Sequence, residues 1–191
     1  MFQVPRFKIQ DGEGFTIIEL LVVIGVVILL LGCLILYSGA SRNQVALYVE
    51  EAKIAQIILR SKTLSISTFG NPNVPCGYGA QINQAAKTYS LFSYDVPDCG
   101  AISNIDINDP SKYKTVQSFK LPQGVAFQSC PAGGTERLDY VLFIPPDPKT
   151  LVWVDGYPTP TAAGSGKIYL ATADCSANIA VTVSTAGQVS F

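Results

Sequence analysis

Residues 14–37 read GFTIIELLVVIGVVILLLGCLILY, an apolar run with one carboxylate, Glu19, close to its start. Phe15 to Leu36 is about 22 residues, or roughly 33 Å of helix at 1.5 Å per residue, against a hydrocarbon core of about 30 Å. The run therefore predicts a membrane-spanning helix. An acid inside such a span costs about 2.5–3.5 kcal/mol on insertion scales, so Glu19 calls for a partner. Gly25 and Gly32, seven apart on roughly one face, permit close helix contact without forming GxxxG.

Ahead of the run, residues 1–14 are polar, with Arg6 and Lys8 followed by Asp11 and Glu13. This is not an ordinary secretory signal, because the apolar run is too long and no A-x-A-like cleavage site follows it. Arg6 and Lys8 favour a cytoplasmic N-terminus, while Arg42 and Lys53 lie on the other side of the span.

The chain has five cysteines and no histidine. Cys33 lies in the apolar run and reads as a small apolar residue. Cys76, Cys99, Cys130 and Cys175 are dispersed without CxxC spacing, which points to two disulfides in an oxidising compartment and to an exported C-terminal part. Three pairings are open; Cys76 with Cys99 and Cys130 with Cys175 is the one we favour over the other two and over four free thiols. The lack of histidine removes His acid–base chemistry, Ser-His-Asp and Cys-His nucleophiles and the commonest zinc sites. A net charge of −1, with no long like-charge run, offers no electrostatic case for nucleic acid.

Past Ser38 the helical pattern continues. Tyr48, Ala52, Ala55, Leu59, Thr63 and Ile66 recur at three- and four-residue steps and predict the stripe that packs on a sheet. Glu50, Lys53 and Arg60 fall across from it. So do Ile57 and Leu64, which reads either as scattered exposed apolar residues or as a surface for other subunits. Phe69-Gly70-Asn71-Pro72 ends the helix.

Beyond Gly70 short β-prone runs alternate with turns. Residues 78–83 and 88–94 predict a hairpin, and 116–121 and 125–129 another, turned by Pro122-Gln123-Gly124. Residues 140–144 and 151–154 flank Pro145-Pro146-Asp147-Pro148. Residues 167–172, 179–184 and 188–191 close the chain. The fold class is α+β: a long N-terminal helix packed on antiparallel sheet, with boundaries at 1–14, 15–37, 38–69 and 70–191.

The sequence Gly14-Phe15-Thr16-Ile17-Ile18-Glu19, followed by LLVVIGVV, closely resembles the type III signal sequence of type IV pilins and type II secretion pseudopilins. Looser patterns resemble the minor pseudopilin H / FimT-type subgroup: Tyr78-Gly79, Tyr89-Ser90-Leu91-Phe92, Leu121-Pro122-Gln123-Gly124-Val125, and residues 181–189. The resemblance implies a pilin-like fold and a leader, residues 1–14, cut after Gly14 by a prepilin peptidase. It implies N-methylation of Phe15, and for Glu19 the role of docking an incoming subunit through the Phe15 amine. The helix dipole and an amine four residues back would both favour that carboxylate. The partners implied are other pilin or pseudopilin subunits, the peptidase, an inner-membrane assembly platform and the lipid bilayer. The location implied is a single-pass membrane protein with an extracytoplasmic C-terminal domain, filament-associated after assembly. Two features depart from the family pattern: Asp11 and Glu13 stand where leaders usually hold basic residues, and no proline interrupts the helix near Leu36.

The function this reading predicts is a non-enzymatic filament subunit without cofactor. The alternative is a DNA-receptor minor pilin for natural transformation, but residues 184–191 lack the basic side chains such a receptor is expected to carry. No phosphate-binding Gly-rich loop is present. Asp106-Ile107-Asn108-Asp109 resembles a calcium loop but lacks the Gly and distant Glu of an EF-hand, so it reads as a polar turn and no metal is expected. Trp153 and Tyr157 read as core and loop packing.

Overall fold

A computed structural model describes residues 16–69, 75–99, 102, 105–106, 109–130, 133–145, 149–157, 159–161 and 164–191, with backbone alone over 35–41. One helix, α1 (Ile17–Thr68), precedes the strands β1 (Gly77–Asn83), β2 (Thr88–Tyr94), β3 (Tyr113–Lys120), β4 (Val125–Ala126), β5 (Leu138–Ile144), β6 (Lys149–Val154), β7 (Ser165–Thr172), β8 (Asn178–Ser184) and β9 (Val189–Ser190). The chain divides into two compact units, Met1–Ala40 and Ser41–Phe191. It is an α+β protein: an N-terminal apolar helix followed by antiparallel sheets.

In the first unit, Ile17–Leu34 is long and apolar enough to cross a membrane, and none of it is buried. Its start is locally encoded. The Glu19 backbone N–H donates to the Thr16 hydroxyl at 3.3 Å, so Thr16 acts as the N-cap, and Thr16-Ile17-Ile18-Glu19 has the spacing of a capping box.

In the second unit, the larger sheet runs β3-β2-β1-β5-β6 and the smaller β4-β7-β8-β9, with every strand pair antiparallel. One core joins Leu47, Ile54, Ile57 and Ile58 of α1 to one face of the larger sheet (Ile82, Tyr89, Leu91, Val141, Phe143, Val152) and to Ile168, Leu170, Val181 and Val183 of the smaller. A second core covers the larger sheet's other face, where Phe92, Tyr94, Leu142, Ile144 and Trp153 meet Ile105. The strands that serve both cores alternate side chains between them, as a pleated strand must.

The buried face of α1 differs from the expected stripe. Leu47, Glu50, Ile54, Ile57, Ile58, Ser61 and Ser65 are buried, whereas Tyr48 and Leu59 are 58% and 51% exposed and Ala52, Thr63 and Ile66 are exposed as well. Of the expected stripe only Ala55 is buried. Two stripes at the same spacing lie about 100° apart on the helix. The one rich in Leu and Ile removes more apolar surface from water than the one built on Ala and Thr, and it wins. Small residues then let the helix approach the sheet: the Tyr78 backbone N–H donates to Ser65 Oγ at 2.9 Å, and that hydroxyl donates to the Phe143 carbonyl at 2.8 Å.

Glu50, expected on the outer side, is only 4% exposed. The Tyr89 hydroxyl donates to its Oε2 and the Lys53 ammonium to its Oε1, each at 2.6 Å. Tyr89 in turn stacks on Phe119 with ring centroids 5.4 Å apart.

The strands at 78–83 and 88–94 pair as predicted, in register from Gly77↔Tyr94 to Asn83↔Thr88. The expected hairpin between 116–121 and 125–129 does not form: β3 ends the larger sheet and β4 ends the smaller. Pro122-Gln123-Gly124 is a crossing between sheets, with Gly124 at φ 87°. The pairing of β2 with β3 carries a bulge, Leu91 opposing Gln117 and Phe92 opposing Thr115. At the other end of that sheet, the Thr161 N–H donates to the Val152 carbonyl at 2.7 Å and covers the outer edge of β6.

Disulfides join Cys76 to Cys99 and Cys130 to Cys175, with Cα–Cα distances of 5.3 and 5.8 Å. The first ties the entry of β1 to the segment carrying Ile102 and Ile105 over the second core. Cys33 is free and exposed.

Candidate functional site

Two regions of the chain carry chemistry beyond packing. The first is the apolar part of α1. Gly14 and Phe15, the residues on which cleavage and methylation are expected, lie outside the described residues. Glu19 stands in the first turn of α1 and is exposed, as are the apolar residues from Ile17 to Leu34 around it. The helix dipole favours a carboxylate at this end by about 0.3–1 kcal/mol. Further along α1, within the second unit, Val45, Tyr48, Val49, Leu59 and Ile66 form a second apolar stripe on the solvent side. Tyr48, Leu59 and Ile66 were legible in the sequence, but as the packing face; Val45 and Val49 were not singled out there.

The second region is a cleft of about 770 Å³ on the outer face of the larger sheet. Its floor is one cross-strand row. Gln81 opposes Tyr140, and Tyr140 opposes Trp153, so three neighbouring strands place these side chains side by side. The Gln81 amide donates to the Tyr140 hydroxyl at 3.2 Å and accepts from the Tyr113 hydroxyl at 2.7 Å. Trp153 is 2% exposed, and its indole N–H has no hydrogen-bond partner among the described residues. Trp153 was expected to be core, and it is; its place in the floor of a cleft was not legible.

The wall of the cleft depends on irregular backbone. The register of β5 against β6 slips between Leu138, opposite Val154, and Tyr140, opposite Trp153. Asp139 is the extra residue of this bulge, and a bulge re-aims its side chain out of strict alternation. One Asp139 oxygen accepts from the Gly156 N–H at 2.6 Å. Burial is the largest influence on this carboxyl and raises its pKa above the usual value, against the Gly156 bond, with the Asp155 charge adding to the rise. Asp155 itself is spent on structure: its carboxylate accepts from the Glu136 and Arg137 N–H groups at 2.9 and 3.1 Å. Asp155 and Glu136 both sit at positive φ, 51° and 59°, a strained setting for side-chain-bearing residues. Tyr157, 65% exposed, completes the rim.

Asp109 and Asp174 lend themselves to local structure, Asp174 accepting from the Ser176 N–H and hydroxyl at 3.2 and 2.9 Å. Asp109 accepts from the Ser111 N–H and hydroxyl at 3.0 and 2.6 Å and pairs with Lys112 at 2.9 Å. The Ser111 hydroxyl and then the Lys112 ammonium hold the Asp109 carboxyl down to about 2. Among the described residues no group of three or more Cys, Asp or Glu is gathered in a way that could hold a metal ion.

The class these features define is an α+β protein with an N-terminal helix fit to cross a membrane and two disulfides. No protein-family description, no curated protein and no solved structure matches the chain.

Proposed function

We propose that this chain is a minor pilin or pseudopilin: a non-enzymatic subunit anchored by α1, cut after Gly14 and assembled into a type IV pilus-like or type II secretion filament. The observation that carries the reading is the exposed apolar segment Ile17–Leu34 of α1, whose one acid, Glu19, sits in the capped first turn. An apolar segment with none of its residues buried and a carboxylate at its start has two uses for its surface, lipid before assembly and neighbouring helices after it. In the filament, the Glu19 carboxylate pairs with the N-terminal amine of an adjacent subunit and fixes axial register. The exposed stripe from Val45 to Ile66 supports the same reading, because it gives the globular unit an apolar contact surface of its own. The disulfides are consistent with an extracytoplasmic location for that unit and a cytoplasmic leader.

Mass spectrometry of the mature chain tests the processing step; a chain beginning at N-methylated Phe15 is expected, and an intact residue 1 overturns it. Glu19→Ala tests the assembly step. It should insert into the membrane as the parent does yet fail to enter filaments, and normal incorporation in a complementation assay refutes the register role.

A further inference from the structure

We propose that the cleft on the outer face of the larger sheet is a saccharide-binding site, taking a neutral pyranose unit with Asp139 as its principal hydrogen-bond acceptor and Tyr157 as its stacking platform. The inference is independent of the filament reading. It rests on what the cleft offers and on what it refuses.

The cleft offers acceptors and donors side by side. Asp139 has one oxygen on the Gly156 N–H and the other without a bond to a described residue. The Tyr140 hydroxyl accepts from Gln81, which leaves its own proton to give. Gln84, on the turn between β1 and β2, lines the same space with both an amide donor and an acceptor. Each hydroxyl of a sugar both donates and accepts, so alternating partners of this kind suit it. Its C–H faces suit an exposed aromatic ring, and Tyr157 supplies one at the rim. The volume of about 770 Å³ lies within the usual range of about 300–1,000 Å³ for ligand sites.

What the cleft refuses narrows the class. A phosphate or carboxylate ligand meets Asp139 and Asp155, against Arg137 alone, and the Arg137 Nε is already committed to the Gly134 carbonyl at 3.1 Å. A divalent cation lacks a set of ligands, since both Asp155 oxygens hold backbone N–H groups. An ammonium ligand would satisfy Asp139, but it would face the Arg137 charge and leave the Gln84 donors unused. The bulge at Asp139 and the left-handed residues Glu136 and Asp155 bring strain and a partly buried acid together at the cleft. Such features cost stability and persist where the surrounding structure over-determines them, commonly at binding sites.

Trp153 is the chain's single tryptophan and lies in the cleft floor, so its fluorescence reports the cleft together with the core beneath it. The experiment titrates the full chain in lipid nanodiscs with methyl glycosides of glucose, galactose, mannose and N-acetylglucosamine, with tetramethylammonium and inorganic phosphate as controls. Saturation-transfer NMR with the same glycosides provides a second readout. A saturable response to at least one glycoside is expected. It should weaken about tenfold in Asp139→Asn, the equivalent of one hydrogen bond to a charged acceptor, and by a similar factor in Tyr157→Ala. Tyr157 is exposed, so that variant keeps the fold, and an unchanged emission maximum without ligand checks it. Silence to all four glycosides in both readouts overturns the proposal. So does a response that both variants leave intact, or one elicited by tetramethylammonium or phosphate in place of the sugars.

Discussion

Replacing Glu50 by alanine tests how α1 is fastened to the larger sheet. The carboxylate is 4% exposed and receives the Tyr89 hydroxyl and the Lys53 ammonium, each at 2.6 Å. The two bonds are unequal. A hydrogen bond to a buried charged acceptor contributes about 1.5–3 kcal/mol. The Lys53 side chain is 50% exposed, so solvent screens that pair and it contributes about 0–1 kcal/mol. Alanine also strands the Tyr89 hydroxyl inside the core, where desolvation without a partner costs about 1–3 kcal/mol; this overlaps the lost bond and does not add to it in full. The expected loss is about 3 kcal/mol, or roughly 6–12 °C in Tm for a chain of this size. Glu50→Gln keeps an acceptor for Tyr89 and should lose about half as much. In a double-mutant cycle with Tyr89→Phe, the pair should couple by at least about 1 kcal/mol, whereas a cycle with Lys53→Ala should show little. The assay is equilibrium denaturation of the disulfide-intact chain in nanodiscs, followed by circular dichroism. A Glu50→Ala loss below about 0.5 kcal/mol would refute the reasoning and make the buried carboxylate incidental to helix docking.

The same phenol sets a pH dependence. Burial, then the hydrogen bond to Glu50 and its charge, raise the Tyr89 pKa far above the usual 10. The unfolded chain therefore releases this proton first, so stability is present in full below about pH 10 and falls as pH rises beyond it, by up to about 1.4 kcal/mol per pH unit. Tyr89→Phe should remove that part of the slope; an unchanged alkaline slope in the variant would contradict the assignment. Removal of the Cys130–Cys175 bridge, with its separation of 45 residues, should cost about 4 kcal/mol by loop entropy. Serine at both positions and a denaturation curve check this, and a midpoint equal to the parent's would mean that the bridge constrains nothing the unfolded chain explores.

The extent of α1 was legible because its signals are local: an unbroken apolar run, three- and four-residue spacing, and Phe69 leading into breakers. The T-x-x-E cap at Thr16 was equally local and could have been found. Which face of the helix packs was not legible, since Tyr48, Leu59 and Ile66 repeat as regularly as Leu47, Ile54 and Ile58. The larger apolar area of the second row decides between them, and it counts only once two sheets are there to cover it. The burial of Glu50 depends on Tyr89, 39 residues away, and a charged residue on a helix reads as solvated until such a partner is in place. The Pro122-Gln123-Gly124 turn misled because a hairpin and a crossing between sheets use the same turn residues. Trp153 and Tyr157 stood out in the sequence, but as core and loop packing and not as parts of the cleft. Its row joins β1, β5 and β6, and its acid is aimed by a bulge that only strand pairing creates.

The two ends of the larger sheet bear on how this unit can meet another chain. β3 ends in Lys120, carries Lys114, and is bent by the bulge opposite Leu91 and Phe92; the β6 edge is occupied by Thr161. Charge, curvature and coverage are the devices by which sheets avoid recruiting foreign strands. Backbone-to-backbone growth, the route by which many β-rich extracellular proteins polymerise or aggregate, is thereby discouraged at both ends. Any contact this sheet makes with another chain is left to side chains, which can be specific where a bare strand edge is not.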